Sequence, residues 1–272
     1  MKYELLSVIL IISIYNFILT SGYFDEDTLK VKLIPLSLFG MFAFLIFVVS
    51  ILSIFYYRTT HYVNYLADTH IKNADNQFSF IKKIKLHIPN EYITPLLNIA
   101  NTQGVRIEIP KKKQKCISSK RLKESFPQII EWYKSLPPKI SKIIGDDVKI
   151  TPLSESNSIC LVVYEKAGDY IDWHFDTNHY NGRYFTLLIP ITFVQTCGNY
   201  QYRNKNKEIQ TVSLTEGEAL LFEGDKVYHR AKKICANQTR IVLSCTFTTS
   251  QKIPTIEYLF QVIKNLGIFG EI

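Results

Sequence analysis

The chain of 272 residues carries 32 lysines and arginines against 24 acidic residues, and 47% of its residues are hydrophobic. This length suits one enzyme-sized domain with an appendage. The mean hydropathy of +0.02 is high for a chain with 21% charged residues, because apolar residues are concentrated in two uncharged segments, 5–20 and 33–57. The composition excludes a simple cytosolic globule, a disordered chain and a collagen-like fibre.

The cysteines are scattered, odd in number and without the close spacing of a metal-binding pair. They stand at Cys116, Cys160, Cys197, Cys235 and Cys245. Disulfide scaffolds and zinc knuckles use regularly spaced cysteines. Neither is therefore expected here.

The segment 33–57 is the stronger of two candidates for a membrane span. Its 25 uncharged residues end in three aromatic side chains followed by Arg58, as is typical of a membrane interface. About 20 residues suffice to cross the hydrocarbon core of a bilayer. A buried core helix is the alternative, although such helices rarely run so long without a polar face. The segment 5–24 is predicted to be a second span, with a cleaved signal peptide as its alternative.

The charge distribution predicts the orientation of these segments. Residues 1–32 hold three basic and four acidic residues, a net charge of −1, whereas residues 58–272 hold 29 basic and 20 acidic residues, a net charge of +9. Positively charged flanks stay on the cytoplasmic side of a membrane. The sequence therefore predicts an integral membrane protein whose C-terminal domain is cytoplasmic.

Three regions follow from this division. We expect a membrane anchor over 1–57, a stalk and basic linker region over 58–120, and a folded domain over 121–272. The basic residues of the linker and of the start of the domain are either a solvated face or a contact with anionic lipid head groups, worth about 1 kcal/mol per base. They are Lys111, Lys112, Lys113, Lys115, Lys120, Arg121 and Lys123.

The folded domain changes its periodicity along the chain. Helical spacing over 122–134 is followed by a short helix over 139–145, and an amphipathic helix is predicted over 255–269. From residue 148 onward, short β-branched or aromatic segments alternate with turn residues, which predicts a mainly β jelly roll with flanking helices. The segments are 159–164, 170–175, 184–192, 209–214, 218–223 and 240–248.

A candidate metal site begins in the second of these strands. His174 and Asp176 project from the same face, because side chains alternate along a strand. His229 follows a strand and a turn, and an antiparallel jelly roll can bring it back beside that pair. Two imidazoles and one carboxylate leave the remaining metal positions open, as in non-haem Fe(II) oxygenases. The alternatives are a structural His–Asp pair, a surface loop histidine at 229, and competition from His179 as a ligand.

Arg240 lies eleven residues after His229 and begins the last predicted strand. There it shares a face with Val242, Ser244 and Thr246. An arginine that points into a barrel beside a metal needs an anion, which a dicarboxylate co-substrate supplies through a bidentate pair. A salt bridge to Asp225 or to a nearby glutamate is the alternative.

These residues together resemble the Fe(II)/2-oxoglutarate dioxygenases, and particularly their prolyl 4-hydroxylase-like branch. The similarity covers about residues 120–250 and is strongest in 160–250. It rests on Tyr164, Gly168, Tyr170, the His174-x-Asp176 pair, Arg183, Thr186, Gly198, the GEALLF run at 217–222, His229 and Arg240. Two departures stand beside it: Gly198-Asn199 replaces a frequent glycine pair, and nothing in 1–120 resembles the peptide-binding domain of collagen hydroxylases.

The resemblance implies a double-stranded β-helix and a set of roles. Fe(II) would bind His174, Asp176 and His229, and Arg240 would grip the distal carboxylate of 2-oxoglutarate. Two further residues, Tyr164 and Thr186, fall at spacings where the family contacts 2-oxoglutarate. Each of these two has a structural alternative, as a packing tyrosine or a strand threonine.

The predicted function is a membrane-anchored Fe(II)/2-oxoglutarate-dependent dioxygenase that hydroxylates a substrate, with peptidyl proline as the first guess. Its cofactor would be Fe(II), its co-substrates 2-oxoglutarate and O2, and the resemblance also allows for ascorbate. A membrane lipid or another small molecule is the alternative substrate, and a catalytically inactive jelly-roll binding protein is the alternative class. Nucleic acid is not expected as a partner, because AlkB-like relatives carry a second arginine where this chain has Thr246.

Overall fold

The computed structural model describes residues 80–192 and 197–265, together with helical residues at 40, 42, 43, 45–51 and 53. The chain divides into two compact units, residues 1–61 and 62–272. The elements below all belong to the second unit. Its helices are α1 (Asn90–Thr102), α2 (Ser119–Ser125), α3 (Pro127–Lys134), α4 (Pro137–Ile144) and α5 (Thr255–Lys264).

The strands of the described residues form one curled antiparallel sheet, as in a jelly roll. Its order is β1-β10-β7-β12-β5-β3-β6-β11-β8-β9, with β2 beside β3 and β4 beside β12. The strands are β1 (Ile81–Lys85), β2 (Val105–Ile109), β3 (Lys112–Ile117), β4 (Lys149–Ile150), β5 (Ile159–Tyr164), β6 (Tyr170–His174), β7 (Tyr184–Pro190), β8 (Tyr200–Arg203), β9 (Ile209–Val212), β10 (Glu218–Glu223), β11 (His229–Ala231) and β12 (Arg240–Thr248).

The largest hydrophobic core lies between four helices and one face of the sheet. Strand β12 contributes every second residue to it: Ile241, Leu243, Cys245 and Phe247 are all buried there. Helices α1 to α4 supply the opposing apolar side chains. The other face of β12 carries Arg240, as the alternation of its sequence predicts. Packing against the helices therefore fixes which face of the sheet is turned toward the site.

Local sequence explains where these helices begin and end. The predicted helix over 122–134 is two helices, α2 and α3, because Pro127 cannot donate the hydrogen bond that would continue the first one and instead begins the second. Helix α4 ends at Gly145, whose φ of 79° is left-handed and costs little only for glycine. Of the predicted helix over 255–269, residues 255–264 are helical, and those beyond 265 lie outside the described residues.

The predicted strands are present, and the structure adds others. Strands β5, β10 and β12 have the predicted bounds, while β6, β7 and β9 end one or two residues earlier than predicted. In the region predicted as a stalk and basic linker, residues 58–79 lie outside the described residues. The rest of that region contributes β1, α1, β2 and β3. Because β3 joins β5 to β6, this basic segment is an integral part of the sheet.

The prediction of an integral membrane protein is contradicted and is corrected here. In the part of the chain that the structure describes, no helix is long and apolar enough to cross a membrane. The predicted span over 5–24 and the remaining residues of 33–57 lie outside the described residues.

We expect the Phe247→Ala substitution to lower the free energy of unfolding by about 3–5 kcal/mol, because it removes a buried ring and leaves a cavity. Phe247 is fully buried, and its ring meets Tyr133 edge to face at a centroid distance of 5.5 Å. Urea denaturation followed by circular dichroism measures the change. Ile109→Ala, at a side chain that is 42% exposed, is the control and should cost under about 0.5 kcal/mol. Equal costs for the two variants would contradict this account of the core.

Candidate functional site

The pairing of β6 with β11 brings two of the predicted ligands together. His174 and His229 are direct partners across these antiparallel strands, and their ring centroids lie 4.1 Å apart. The register shifts beyond this pair, so that Ala231 lies opposite Ile171. The extra residue on β6 forms a bulge, which re-aims side chains locally. Both imidazoles therefore point to the same side of the sheet.

Backbone carbonyls fix the orientation of both imidazole rings. His174 Nδ1 lies 2.7 Å from the carbonyl oxygen of Asp172, and His229 Nδ1 lies 2.7 Å from that of Val227. A carbonyl oxygen only accepts hydrogen bonds, so each Nδ1 must carry the proton and donate it. In the neutral rings, the lone pair is then on Nε2. Histidines that bind metals commonly have this tautomer, and their other ring nitrogen commonly donates a hydrogen bond in this way.

Asp176 completes the cluster through a single carboxylate oxygen. Its Oδ1 lies 3.6 Å from Nε2 of His174 and 3.6 Å from Nε2 of His229. The hydroxyl of Thr186 donates to the other oxygen, Oδ2, at 2.5 Å. The backbone N–H of Asp176 donates to the carbonyl of Gly224 at 3.0 Å. The carboxylate is therefore held through Oδ2 and the backbone of Asp176 through its N–H, with Oδ1 directed at the histidines.

Glycine at position 224 is required by this close approach. A Cβ atom there would lie 2.4 Å from Oδ2 of Asp176 and 2.7 Å from Oγ1 of Thr186. Both distances are far below van der Waals contact. Any larger residue would push the carboxylate out of the cluster. Gly224 thus belongs to the site through its lack of a side chain.

The charge states of His229 and Asp176 suit a divalent metal. Burial, with His174 close by, lowers the pKa of His229 to about 4, so the ring is neutral at physiological pH. Burial raises the pKa of Asp176, but His229, His174 and the Thr186 hydrogen bond outweigh that effect and hold this pKa below its usual value. The ligand atoms all lie within 4.8 Å of one another. Two imidazoles and one carboxylate fit Fe(II).

Arg240 lies beside Tyr164, its direct partner on β5. The guanidinium carbon is 5.2 Å from the centroid of the Tyr164 ring, and Nη1 donates to the carbonyl of Gly198 at 2.8 Å. Burial lowers the pKa of Arg240. No carboxylate of the described residues forms a salt bridge with it. A cation in this position attracts an anionic ligand.

A cavity of about 60 Å³ adjoins Arg240, and Gly198, Tyr200 and Leu220 line it as well. Tyr200 stacks on His229, with 5.4 Å between the ring centroids. Its hydroxyl is buried and has no hydrogen-bond partner among the described residues. Burial raises the pKa of Tyr200 well above its usual value, so the hydroxyl remains a donor. A buried donor without an acceptor marks a ligand position.

Sequence reasoning missed Tyr200, Gly224 and the link from Thr186 to Asp176. Tyr200 is one of 17 tyrosines and carries no local signal of its position. Gly224 follows the predicted strand 218–223 directly, and that placement was the one available hint. The predicted contacts of Tyr164 and Thr186 with 2-oxoglutarate stay predictions, although the structure gives the Thr186 hydroxyl a partner on Asp176.

The competing interpretations of nearby residues are answered by their contacts. His179 is buried and its Nδ1 lies 2.9 Å from a carboxylate oxygen of Glu257, outside the metal cluster. Asp225 accepts a hydrogen bond from Asn178 rather than pairing with Arg240. Arg183 pairs with Glu223. A disulfide joins Cys197 to Cys235, and Cys116, Cys160 and Cys245 are free and buried.

Comparison with solved structures identifies this fold. The non-haem α-ketoglutarate-dependent epimerase SnoN of nogalamycin biosynthesis matches with a TM-score of 0.51 and 11% identity, over 66% of this chain and 83% of its own. AviO1 from Streptomyces viridochromogenes Tue57 matches at 0.50 and 9%, over 69% and 97%. A prolyl-4-hydroxylase from Pseudomonas putida matches at 0.47 and 11%, over 68% and 98%.

No protein-family model and no curated protein matches the sequence. At sequence identities this low, the structural matches support a similarity of fold only. The fold of this chain is that of 2-oxoglutarate-dependent oxygenases, α-ketoglutarate being another name for 2-oxoglutarate. The resemblance predicted from the sequence is therefore confirmed at the level of the fold.

We expect Thr186→Val to lower the affinity for a divalent metal about tenfold or more, as loss of a hydrogen bond behind a ligand commonly does. Valine keeps the shape but cannot hold Oδ2 of Asp176. Equilibrium dialysis with Co(II) or Mn(II) measures the change without any need for turnover. Thr186→Ser keeps the hydroxyl and is the matched control. If both variants bind metal as the wild type does, the hydrogen bond does not position Asp176.

Proposed function

We propose that the chain is an Fe(II)/2-oxoglutarate-dependent hydroxylase. The single observation that carries the proposal is the cluster of His174, Asp176 and His229 beside the pocket of Arg240. The cluster offers three protein ligands on one side and leaves the other positions of an octahedral metal open. Arg240 and the Tyr200 hydroxyl offer an unpaired cation and an unpaired donor. In this proposal the curled sheet serves as the double-stranded β-helix of the family.

Each residue around the metal position would have a separate role in binding the metal. When bound, Fe(II) would supply the oxygen-activating chemistry that no protein side chain provides. Asp176 contributes the negative charge that favours a cation, and in both histidines the backbone carbonyl at Nδ1 leaves Nε2 as the ligand atom. Thr186 and Gly224 keep the carboxylate pointing at one place. The three ligand side chains would need little rearrangement to bind the metal, because a hydrogen bond already orients each of them.

The pocket of Arg240 would receive the distal carboxylate of 2-oxoglutarate. The guanidinium supplies charge-assisted hydrogen bonds, and the Tyr200 hydroxyl supplies a further donor. Tyr164 holds the guanidinium from one side through its ring, and Gly198 holds it through its carbonyl. Tyr200 stacks on His229 and lines the same cavity as Arg240, and this residue connects the ligand cluster with the proposed carboxylate pocket.

For the substrate we propose a peptidyl proline. The support comes from the sequence of residues 160–250, which resembles the prolyl 4-hydroxylase-like branch. Hydroxylation of a lipid is the competing outcome, and it is included in the test below. A binding protein without catalysis is the remaining alternative, and metal binding separates it from an enzyme.

The first test is an anaerobic titration of the protein with Fe(II) and 2-oxoglutarate. We expect a visible metal-to-ligand charge-transfer band, because a 2-oxo acid chelated to Fe(II) absorbs in this region. His174→Ala removes one ligand and should abolish the band. Succinate release in air, with proline-containing peptides or lipids as candidates, then identifies the substrate class. Absence of the band in the wild type would refute the enzyme proposal, and turnover of lipid without turnover of peptide would refute the prolyl assignment.

The pocket assignment has its own test. We expect Arg240→Gln to weaken binding of 2-oxoglutarate about tenfold to 100-fold and Tyr200→Phe about threefold to tenfold, since hydrogen bonds with charged groups contribute more than neutral ones. Calorimetry of 2-oxoglutarate binding to the Mn(II)-loaded protein gives both values. Tyr202→Phe, two residues from Tyr200 on the same strand and not among the residues that line the cavity, is the control. Unchanged affinity in Arg240→Gln would remove this residue from the co-substrate site.

A further inference from the structure

The disulfide between Cys197 and Cys235 stands beside the candidate co-substrate pocket. The bond spans 38 residues of sequence. Cys197 stands shortly before β8, and Cys235 lies in the connection between β11 and β12. Because Cys235 is exposed and Cys197 is half-buried, a small reductant can reach the bond. The free cysteines, in contrast, are all buried.

The residue that follows Cys197 contacts the arginine of the pocket. The carbonyl oxygen of Gly198 accepts a hydrogen bond from Arg240 Nη1 at 2.8 Å, and Gly198 lines the same cavity as Arg240. A guanidinium is a planar fork whose N–H groups point in fixed directions. The Gly198 carbonyl therefore helps to set the direction in which the remaining N–H groups can donate to an anion.

The residue that precedes Cys235 supports the arginine from the other side. Ile234 is buried in one cluster with Tyr164, whose ring lies beside the Arg240 guanidinium. Ile234 also lies against Gly198, since a Cβ atom on this glycine would be 2.7 Å from Cγ2 of Ile234. The sequence neighbours of the two cysteines thus meet each other and contact both supports of Arg240.

Regular strand pairing ends before it reaches the disulfide. The ladder between β8 and β11 ends where Tyr200 lies opposite Ala231, and one more bond follows, from the N–H of Lys232 to the carbonyl of Asn199 at 3.1 Å. The backbone of Ile234 is instead hydrogen-bonded to the turn after β5, at residues 168 and 169. The disulfide is therefore the covalent link that keeps the segment of Gly198 against that of Ile234.

We propose that the Cys197–Cys235 disulfide is a redox switch for the co-substrate pocket. The oxidised bond holds the support of Arg240 in place, and its reduction weakens binding of 2-oxoglutarate. This inference rests on the proposed function, because it concerns the regulation of the same pocket. Reduction by a dithiol breaks the S–S bond, transfers two electrons and two protons to the cysteines, and leaves the dithiol as its own disulfide. A constraint that holds a site in its binding conformation raises affinity, and its loss lowers affinity. The two cysteines are positioning residues, since they act through their neighbours.

The test compares the affinity of the Mn(II)-loaded protein for 2-oxoglutarate in its two redox states. One sample is oxidised with diamide and the other is reduced with dithiothreitol, which is removed before Mn(II) is added because it binds metals. A count of thiols in denaturant verifies the states, with three free cysteines after oxidation and five after reduction. We expect calorimetry to give an affinity about threefold to tenfold lower after reduction, the size of effect that a hydrogen bond to a charged group commonly has.

The double variant Cys197→Ser/Cys235→Ser is the matched control, because it cannot form the bond. It should bind 2-oxoglutarate as the reduced wild type does and respond to neither treatment. Arg240→Gln should respond to reduction much less than the wild type, because the residue through which the disulfide acts is missing. The affinity for Mn(II) alone should be the same in both redox states. Circular dichroism and melting temperature verify that each protein is folded.

A second readout separates a switch from a disulfide that only stabilises the fold. A ligand that binds the oxidised form more tightly stabilises that form by the same factor. Saturating 2-oxoglutarate should therefore lower the midpoint potential of the Cys197–Cys235 pair by about 15–30 mV, at about 30 mV per factor of ten. Dithiothreitol redox buffers, followed by alkylation and mass spectrometry, measure the shift. A disulfide that only stabilises the fold would show none.

The possible outcomes separate this inference from the proposed function. Equal affinity for 2-oxoglutarate in both redox states would overturn the switch and leave the pocket assignment intact. A thiol count that stays at five after oxidation would do the same. A protein that binds no 2-oxoglutarate in either state would overturn the pocket itself, and the switch with it.

Discussion

The antiparallel pairing of β6 with β11 is the constraint on which the candidate site depends. It sets His174 opposite His229, and a slip of one residue would turn one of these rings to the opposite face. Ile171 and His174 are three positions apart on β6, whereas their partners Ala231 and His229 are two positions apart on β11. The bulge beyond the histidine pair accommodates this difference. The same pairing places Trp173 beside Tyr228. The histidine pair on one face of the sheet and the Trp173–Tyr228 stack on the other are thus two consequences of one register.

Strand β12 connects this site to the stability of the domain. Its four core residues pack against the helices, and the intervening residues include Arg240. The position of the guanidinium is therefore set by hydrophobic packing on the reverse face of the same strand. A site carried by a strand that is buried in this way is held more rigidly than one carried by a loop. The helices, which carry none of the candidate ligands, contribute to the site through that packing.

Much of this arrangement could be predicted from the sequence, because the alternation of β6 and β12 is strong. His174 and Asp176, and likewise Arg240 and its neighbours, were placed on faces by a period of two. Strand β3 escaped prediction because KKQKCI (112–117) has the composition of a solvated loop, even though Gln114 and Cys116 are buried. Its pairing with β5 and β6 is a contact between residues far apart in the sequence, and a local sequence pattern does not reveal it. Tyr200 was missed for the same reason, since a buried hydroxyl is recognised only from its surroundings.

The membrane prediction failed for a different reason. Hydropathy measures whether a segment could enter a bilayer, and segment 33–57 satisfies that criterion. It does not measure how far a helix extends. In the described part of the chain, no helix meets both the length and the apolar character that a span requires.

The charges of the site also imply an order of binding. Asp176 is held in its anionic form, while Arg240 carries the positive charge beyond Tyr200. A dicarboxylate placed between them would be attracted at one end and repelled at the other. At an effective dielectric constant of 20, two like charges 4 Å apart repel by about 4 kcal/mol, which is comparable to what the arginine can contribute. If the proposed co-substrate site is correct, Asp176 would disfavour the dicarboxylate until a cation stands between the two carboxylates, and we therefore expect metal to bind before 2-oxoglutarate.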